Sequence, residues 1–387
     1  MSNKRALKRK KKKKNRKVFN PQSQIKNMKV SNQKDLTAGK IPMVNIIAYA
    51  ADLYGCYLYR ILNFQNALNE YNKRDVVFNF FSLNRIVRDE NFYKNTTVVI
   101  FQRPSTPQHV EMMKWLRNIS QKCGFLLVFE IDDLLFEIPK YNYFANKYYS
   151  SQLESVKTNL QLAHMCTTTT KYLQGRVKEY NKNVGILENY LPGYMWNMNG
   201  HRIHRNNGKL KIVWSGSATH FSNRTEERDD LEVLYEVHSK TCNKYQWIFQ
   251  GSVPEKIKNA GSYKFIPWVQ NHQHPRVLQN LDADVGIGSL VENNFNRAKS
   301  NIKRKEYVGA GLAGLFSTFP GCPYEDANGT YDWDNSNDLL LELEKLEDPS
   351  ERQSLYDKEL ESLKNNLYIE DNVDKVVDFW RKTLRIP

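Results

Sequence analysis

Residues 293–318, NNFNRAKSNIKRKEYVGAGLAGLFST, read as a basic helix, a glycine-rich turn and a short apolar strand. The string Gly309-Ala310-Gly311-Leu312-Ala313-Gly314 matches GxGxxG. A dinucleotide fingerprint of that form follows a strand and opens a helix. Here it follows a helix and opens a strand, so its expected role is a helix C-cap and tight turn that uses glycine's access to positive φ. Helix-then-strand order is one half of a βαβ unit, and the same alternation recurs along most of the chain.

Upstream, strands are expected at 42–49 (PMVNIIAY), 75–81, 96–102, 125–131 (FLLVFEI), 166–169 and 184–188. Helical patterns separate them at 52–71, 108–121, 143–150, 151–164 and 171–180. Unbroken apolar strands alternating with helices predict a parallel sheet covered on both faces. Residues 193–209, polar and rich in Asn and Gly, read as a linker. The alternation then restarts, with strands at 210–214, 246–250, 263–269, 284–290 and 314–318 and a helix at 229–239. Residues 337–366 and 370–385 are helical in pattern, the last with Val373, Val376, Val377 and Trp380 on one stripe. The expected architecture is α/β, two doubly wound halves with a ligand cleft at the carboxyl ends of their strands. The boundaries are 1–40 (tail), 41–192, 193–209 (linker), 210–369, and 370–387 as a terminal helix.

The chain has 387 residues and a net charge of +15, which suggests nucleic acid until the charge is located. Residues 1–17 carry eleven Lys and Arg and no acid, and residues 18–40 add four Lys and Asp35. The remainder, 41–387, is therefore close to neutral, at about +1. Such a tail builds no core and is expected to be disordered. Cys56, Cys123, Cys166, Cys242 and Cys322 show no paired spacing, which points to reduced thiols and a cytoplasmic compartment. The N-terminus lacks the apolar stretch of a signal peptide, and no apolar run approaches the ~20 residues that span a bilayer. Peripheral attachment to a membrane or to nucleic acid stays compatible with the tail.

On a helix, residues three and four apart share a face, so Lys299, Lys303 and Glu306 form one stripe: two cations, then a carboxylate. A nucleotide diphosphate needs that order, cations for the phosphates and an acceptor for the ribose hydroxyls. The helix N-terminus would reinforce phosphate binding. The competing reading is a solvated charged face. Ser215-Gly216-Ser217 ends the first strand of the second half, where small residues let a phosphate or sugar approach; Thr219, His220 and Arg224 follow. In the first half, Glu130-Ile131-Asp132-Asp133 ends a strand; one of its carboxylates is a candidate general base, a candidate metal ligand, or simply a cap at Leu134. Arg103, in Gln102-Arg103-Pro104, is placed to meet a phosphate or carboxylate, and His109 to face either the cleft or solvent. The pairs His201/His204 and His272/His274 lack Cys or acid neighbours and are read as non-metal. No catalytic Ser or Cys constellation and no GxxxxGK[ST] loop stands out.

Six segments, in order, resemble GT-B glycosyltransferases of the glycogen-synthase-like and mannosyltransferase-like group. They are QRP (102–104), VFEIDDLLFEIP (128–139), ENYLP (188–192), VWSGSATH (213–220), DADVGIGSL (282–290) and FNRAKSNIKRKEYVGAGL (295–312). The resemblance implies two Rossmann-like domains, a sugar-nucleotide donor held mainly by the C-terminal one, and no required metal or other cofactor. It implies that Glu306 holds the ribose, that Lys299, Lys303 and the Gly216-Ser217 turn hold the diphosphate, and that the last helix crosses back to the first domain. His220, in the loop after that turn, is read from its position alone as a donor to a phosphate or as an ordinary surface histidine. The group commonly carries two Glu separated by seven residues; the first falls here on Ala298, which leaves the donor sugar and the stereochemistry open.

The expected function is metal-independent transfer of a hexosyl or pentosyl unit from a nucleoside-diphosphate sugar to an acceptor hydroxyl. Asp132, Asp133 and His109 are the catalytic candidates and Arg103 the acceptor-binding one. The acceptor is a surface or lipid-linked glycan, or a modified nucleic-acid base recruited by the tail, since residues 1–17 suit any polyanion: DNA, RNA or an anionic membrane. The rival class is a non-catalytic nucleic-acid-binding protein that uses the tail. It is disfavoured by the near-neutral body, which lacks interleaved basic and aromatic stretches.

Overall fold

The computed structural model describes residues 44–70, 76–145, 150–196, 203–204, 208–223 and 227–385. The basic tail, most of 193–209, and Arg224 lie outside the described residues.

Two six-stranded sheets organise the described residues. In the first, strands β1 (Val44–Ala50), β2 (Val76–Ser82), β3 (Val98–Gln102), β4 (Leu126–Glu130), β5 (Met165–Thr168) and β6 (Val184–Ile186) run in the order β2-β1-β3-β4-β5-β6. In the second, β7 (Lys211–Gly216), β8 (Gln246–Gly251), β9 (Lys264–Pro267), β10 (Val285–Gly288), β11 (Ala313–Thr318) and β12 (Thr330–Asp332) run β12-β11-β10-β7-β8-β9. Every pairing is parallel. The order reverses between β1 and β3 and again between β7 and β10, and at such switch points the connections diverge to open a crevice at the strand ends.

The apolar runs that signal these strands are buried on both faces. Above and below the first sheet lie Tyr49, Phe101, Leu116 and Phe129 on one side, and Ile46, Ile61, Phe64 and Phe78 on the other. The C-terminal helix Val373–Leu384 belongs to that second layer, inserting Val373, Val376, Val377 and Trp380. The second sheet is covered by Val213, Ile248, Tyr307 and Phe316 on one face and by Trp214, Trp247, Phe249 and Leu315 on the other.

Local chemistry sets the element ends. The helix Pro107–Cys123 starts on Thr106 with Pro in its first turn and stops at Gly124, whose φ of 79° only glycine adopts without strain. Its predicted start, at Gln108, is one residue late. Gly309 ends a helix and Gly311, at φ 76°, turns the chain into β11, so the glycine string is a turn and not a fingerprint.

Several expectations are corrected. Residues 143–145 form turns, and the helix there begins at Ser150 and runs to Leu162. No helix starts at Leu134, so Asp133 is not a cap. The expected linker opens with a helical turn, Gly193–Trp196, anchored by buried Met195 and Trp196. The long helix at 337–366 is two, Ser336–Lys345 and Pro349–Leu363, because Pro349 cannot continue a preceding helix and Asp348 caps the next one. Strand β12 lies outside the expected set: it is three residues long and buries only Tyr331, too little to leave an apolar run.

Candidate active site

The largest correction concerns the basic helix. It is broken: Asn294–Ala298 forms one short helix and Ile302–Gly309 another, with Lys299 between them in an extended conformation (φ −61°, ψ 153°). Lys299 therefore does not share a helical stripe with Lys303 and Glu306. The break has a tertiary cause. Ala298 is fully buried in the core of the first half, and its carbonyl accepts a hydrogen bond from the Thr170 hydroxyl at 3.1 Å. Ser300 accepts from the Asn189 amide at 2.9 Å. These contacts with the first half override the local preference for a continuous helix.

Four of the five cations of this segment divide by role; Arg297, the fifth, pairs with Glu292. Arg304 is buried and ion-paired with Glu359. Lys305 is fully buried, donates to the Asn189 carbonyl at 2.6 Å, and is pushed down to about 8 by burial. Both are structural. Lys303 donates to Glu306 Oε2 at 2.7 Å. Lys299 lies over the Phe295 ring at 4.7 Å and makes no ion pair among the described residues. Both lysines act electrostatically on His220, and Asp230 joins that histidine to Asn296 of the same segment, so the segment stays beside the turn after β7 despite the helix break.

Glu306 is 6% exposed. Tyr59 of the first half donates its hydroxyl to Oε1 at 2.7 Å, and His274 Nε2 lies 3.7 Å from the same oxygen. Burial raises the Glu306 carboxyl, but Lys303 and His274 outweigh it and hold it well below the usual range. The group is thus a buried, ionised acceptor. A carboxylate has about four lone-pair sites, so Tyr59 and Lys303 leave room for a further donor. His274, whose Nδ1 meets Gln250 Nε2 at 3.1 Å, carries no signal in the sequence beyond membership of a His pair without acid neighbours.

The β7 end supplies the opposite wall. A Cβ on Gly216 would meet the Trp214 ring at 2.5 Å, and one on Gly251 would meet the Gly216 carbonyl at 2.4 Å. Ser217 then opens a 3₁₀ turn, Ala218–His220, its Oγ 2.7 Å from Thr219 Oγ1. His220 Nδ1 lies 2.7 Å from Asp230 Oδ2. Asp230, which sequence reasoning passes over, is 2% exposed and is the hub of the wall. Its Oδ1 accepts from Tyr141 of the first half at 2.8 Å, from Asn296 at 2.6 Å and from the Val291 N–H at 3.1 Å. A hollow beside this turn is lined by Ala218, Phe221, Gly251, Val253, Tyr263 and Phe265.

In the first half the strand ends gather a separate group. Arg103 adopts φ 49°, uncommon for a residue with a side chain. Its guanidinium lies 3.4 Å from Asp132 and 3.2 Å from Asp133, and donates to Cys56 Sγ at 2.7 Å. Burial raises the Asp132 carboxyl, but Arg103 and the Cys56 thiol outweigh it, so the net shift is downward. Burial likewise pushes the Cys56 thiol well up, which keeps it protonated. Cys56, Asp132 and Asp133 bring ligand atoms within 4.8 Å of one another, but Arg103 already supplies positive charge to both carboxylates. Nearby, Glu130 and Arg60 form a buried ion pair at 2.7 Å, with Glu130 pushed up to about 7 by burial against the pull of Arg60. His109 serves the helix start. Its Nδ1 accepts from the Ser105 and Thr106 N–H groups at 3.1 and 3.3 Å, closing a capping box. Only its Nε2 remains for other chemistry.

No protein-family model matches this sequence, and no curated protein matches it. Solved structures do match in three dimensions. One is Alr3699/HepE from Anabaena in complex with UDP and glucose: TM-score 0.56 at 8% identity, covering 88% of this chain and all (100%) of the other. The chain has the GT-B fold. HepE in complex with UDP-glucose aligns with TM-score 0.54 at 9% identity over 86% of this chain and 99% of the other. An α,α-trehalose 6-phosphate synthase from Burkholderia multivorans gives 0.51 at 10% identity over 88% and 99%. At these identities the shared property is the GT-B fold, the two-sheet architecture that the six-segment resemblance implied. No described helix is long and apolar enough to cross a membrane.

Proposed function

We propose that this protein is a glycosyltransferase that moves a hexosyl or pentosyl unit from a nucleoside-diphosphate sugar to an acceptor hydroxyl without a metal ion. One observation carries the reading. At the switch point of the second sheet, two lysines, a histidine and the glycine end of β7 converge beside a buried, ionised glutamate. Structures of the same fold hold UDP and UDP-glucose. In this reading Lys299, Lys303, His220, Gly216 and Ser217 hold the diphosphate and Glu306 holds the ribose. Positive charge and fixed donors at the leaving diphosphate supply the electrostatic stabilisation on which such a transfer depends.

The acceptor enters from the first half. Asp133, with 26% of its side chain exposed against 11% for Asp132, is the carboxylate an incoming hydroxyl meets first. Asp132, ionised and paired, orients Arg103 more readily than it takes up a proton. His109 contributes through Nε2 alone. Arg103 pairs with both carboxylates and offsets one of their two charges, which supports the metal-free reading; activity that falls on chelation and returns with a divalent ion would overturn it.

The fifteen cations of residues 1–40 make a polyanion the fitting partner for the tail. Deleting residues 1–17 is expected to reduce transfer to a polymeric acceptor at low salt while sparing donor hydrolysis; DNA and vesicle binding that both survive the deletion would remove that role. The central test is a panel of nucleotide sugars. Thermal stabilisation by one nucleoside diphosphate together with nucleotide release from its sugar is the expected result. Indifference to every donor would favour a non-catalytic, tail-driven nucleic-acid binder.

A further inference from the structure

His220 and Asp230 form a dyad within the proposed donor site, and its geometry goes further than charge. A carboxylate only accepts, so the 2.7 Å contact between His220 Nδ1 and Asp230 Oδ2 fixes the proton on Nδ1. Asp230 cannot swing away, because Tyr141, Asn296 and the Val291 N–H hold its other oxygen. The ring stands edge-on to Trp214 at a centroid distance of 5.9 Å and retains 20% side-chain exposure. Nε2 makes no hydrogen bond among the described residues, so this is where a proton can come and go.

The charges acting on the ring are Asp230, in contact with it, and Lys299 and Lys303; Ser217 and Thr219 of its own turn are neutral. Burial, then the two lysines, lower the imidazole against the opposing pull of Asp230, which leaves the ring neutral in the unliganded protein at pH 7. A bound diphosphate brings negative charge into the same space and reverses that field.

We propose that binding of a nucleoside diphosphate protonates His220 at Nε2, so that the imidazolium donates to a phosphate oxygen while Asp230 holds the Nδ1 proton and the ring orientation. The proton comes from solvent and no other bond changes. Asp230 is thus a positioning residue for the donor site, and the proposal rests on the glycosyltransferase reading above.

The test is calorimetric titration of the full chain with UDP at pH 7.5, in buffers of different ionisation enthalpy. Wild type is expected to take up a proton, approaching ~1 per UDP bound, with affinity falling up to roughly tenfold per pH unit between the titration points of the free protein and of the complex, and levelling off above the latter. His220→Gln is expected to bind more weakly and to lose that uptake. In wild type, ¹⁵N-histidine spectra are expected to show Nδ1–H imidazole becoming imidazolium on UDP addition, which needs no variant to fold. Asp230→Asn is expected to lower the uptake and to shift the free ring toward the other tautomer. UDP binding with no proton uptake, or with the same uptake in His220→Gln, overturns the proposal and leaves the donor site standing. Failure of wild type to bind UDP or any other nucleoside diphosphate overturns the underlying reading, and this proposal with it.

Discussion

Glu306 shows how a single residue joins stability to function. Its carboxylate is ionised, nearly sealed from solvent, and shared among Lys303, His274 and Tyr59. Glu306→Gln keeps the shape and removes the charge. A hydrogen bond to a charged group is worth about 1.5–3 kcal/mol, so nucleoside-diphosphate affinity is expected to fall roughly 10- to 100-fold. Calorimetric affinity that stays the same would discard the ribose role. The pH dependence has a definite sign. The folded carboxyl titrates below its ordinary value of 4.5, so its stabilising contribution is complete above that value and is lost as pH falls through the lower, folded one. The urea midpoint of wild type is therefore expected to drop more steeply from pH 5 to pH 3 than that of Glu306→Gln; parallel curves would contradict this. The Lys303–Glu306 pair was legible in the sequence because three-residue spacing on a helix is enough to reveal it. Asp230 and His274 were not, because each acquires its meaning from a partner that only the fold brings near.

At the scale of elements, close backbone packing is what positions the site. A Cβ on Gly286 of β10 would meet the Tyr307 ring at 2.6 Å. The Tyr307 hydroxyl donates to the Ile287 carbonyl at 2.9 Å and accepts from the Ser215 N–H at 3.3 Å, tying the glutamate-bearing helix to β10 and β7. Overpacking such a contact costs about 1–3 kcal/mol. Gly286→Ala is expected to lower stability by that amount in urea unfolding and to weaken donor binding through displacement of the neighbouring Glu306. A variant as stable and as active as wild type would show the contact to be slack. Strands such as β3 and β4 could be read from the sequence because parallel strands buried on both faces leave unbroken apolar runs. The break at Lys299 could not: no Pro or Gly marks it, and its causes, Thr170 and Asn189, lie in the other half of the chain.

Across the whole molecule, the two halves meet through polar contacts that surround the proposed site. Tyr59 reaches Glu306, Tyr141 reaches Asp230, and Thr170 reaches the Ala298 carbonyl. The alternating pattern exposed the two sheets; these crossing contacts, between residues far apart in sequence, carry no local signal. The C-terminal helix completes the first half's core with Trp380, 1% exposed. Trp380→Ala is expected to cost about 3–5 kcal/mol by leaving a cavity under the first sheet. Calorimetric unfolding would check it, and a loss under 1 kcal/mol would mean that the helix is only loosely docked. Ala298, where the resembling group places a glutamate, is sealed into this junction and is free of any ligand role. That leaves Lys299, a cation beside it with no ion pair among the described residues, as the most exacting probe of donor binding. The deciding measurement is the affinity of wild type and Lys299→Met for the nucleoside diphosphate that stabilises the protein; Met retains the packing on Phe295 and removes only the charge. A loss of roughly tenfold or more, with unfolding unchanged, is expected. Equal affinity in the two proteins, or no nucleoside diphosphate bound by either, would contradict a diphosphate site at the head of the second sheet.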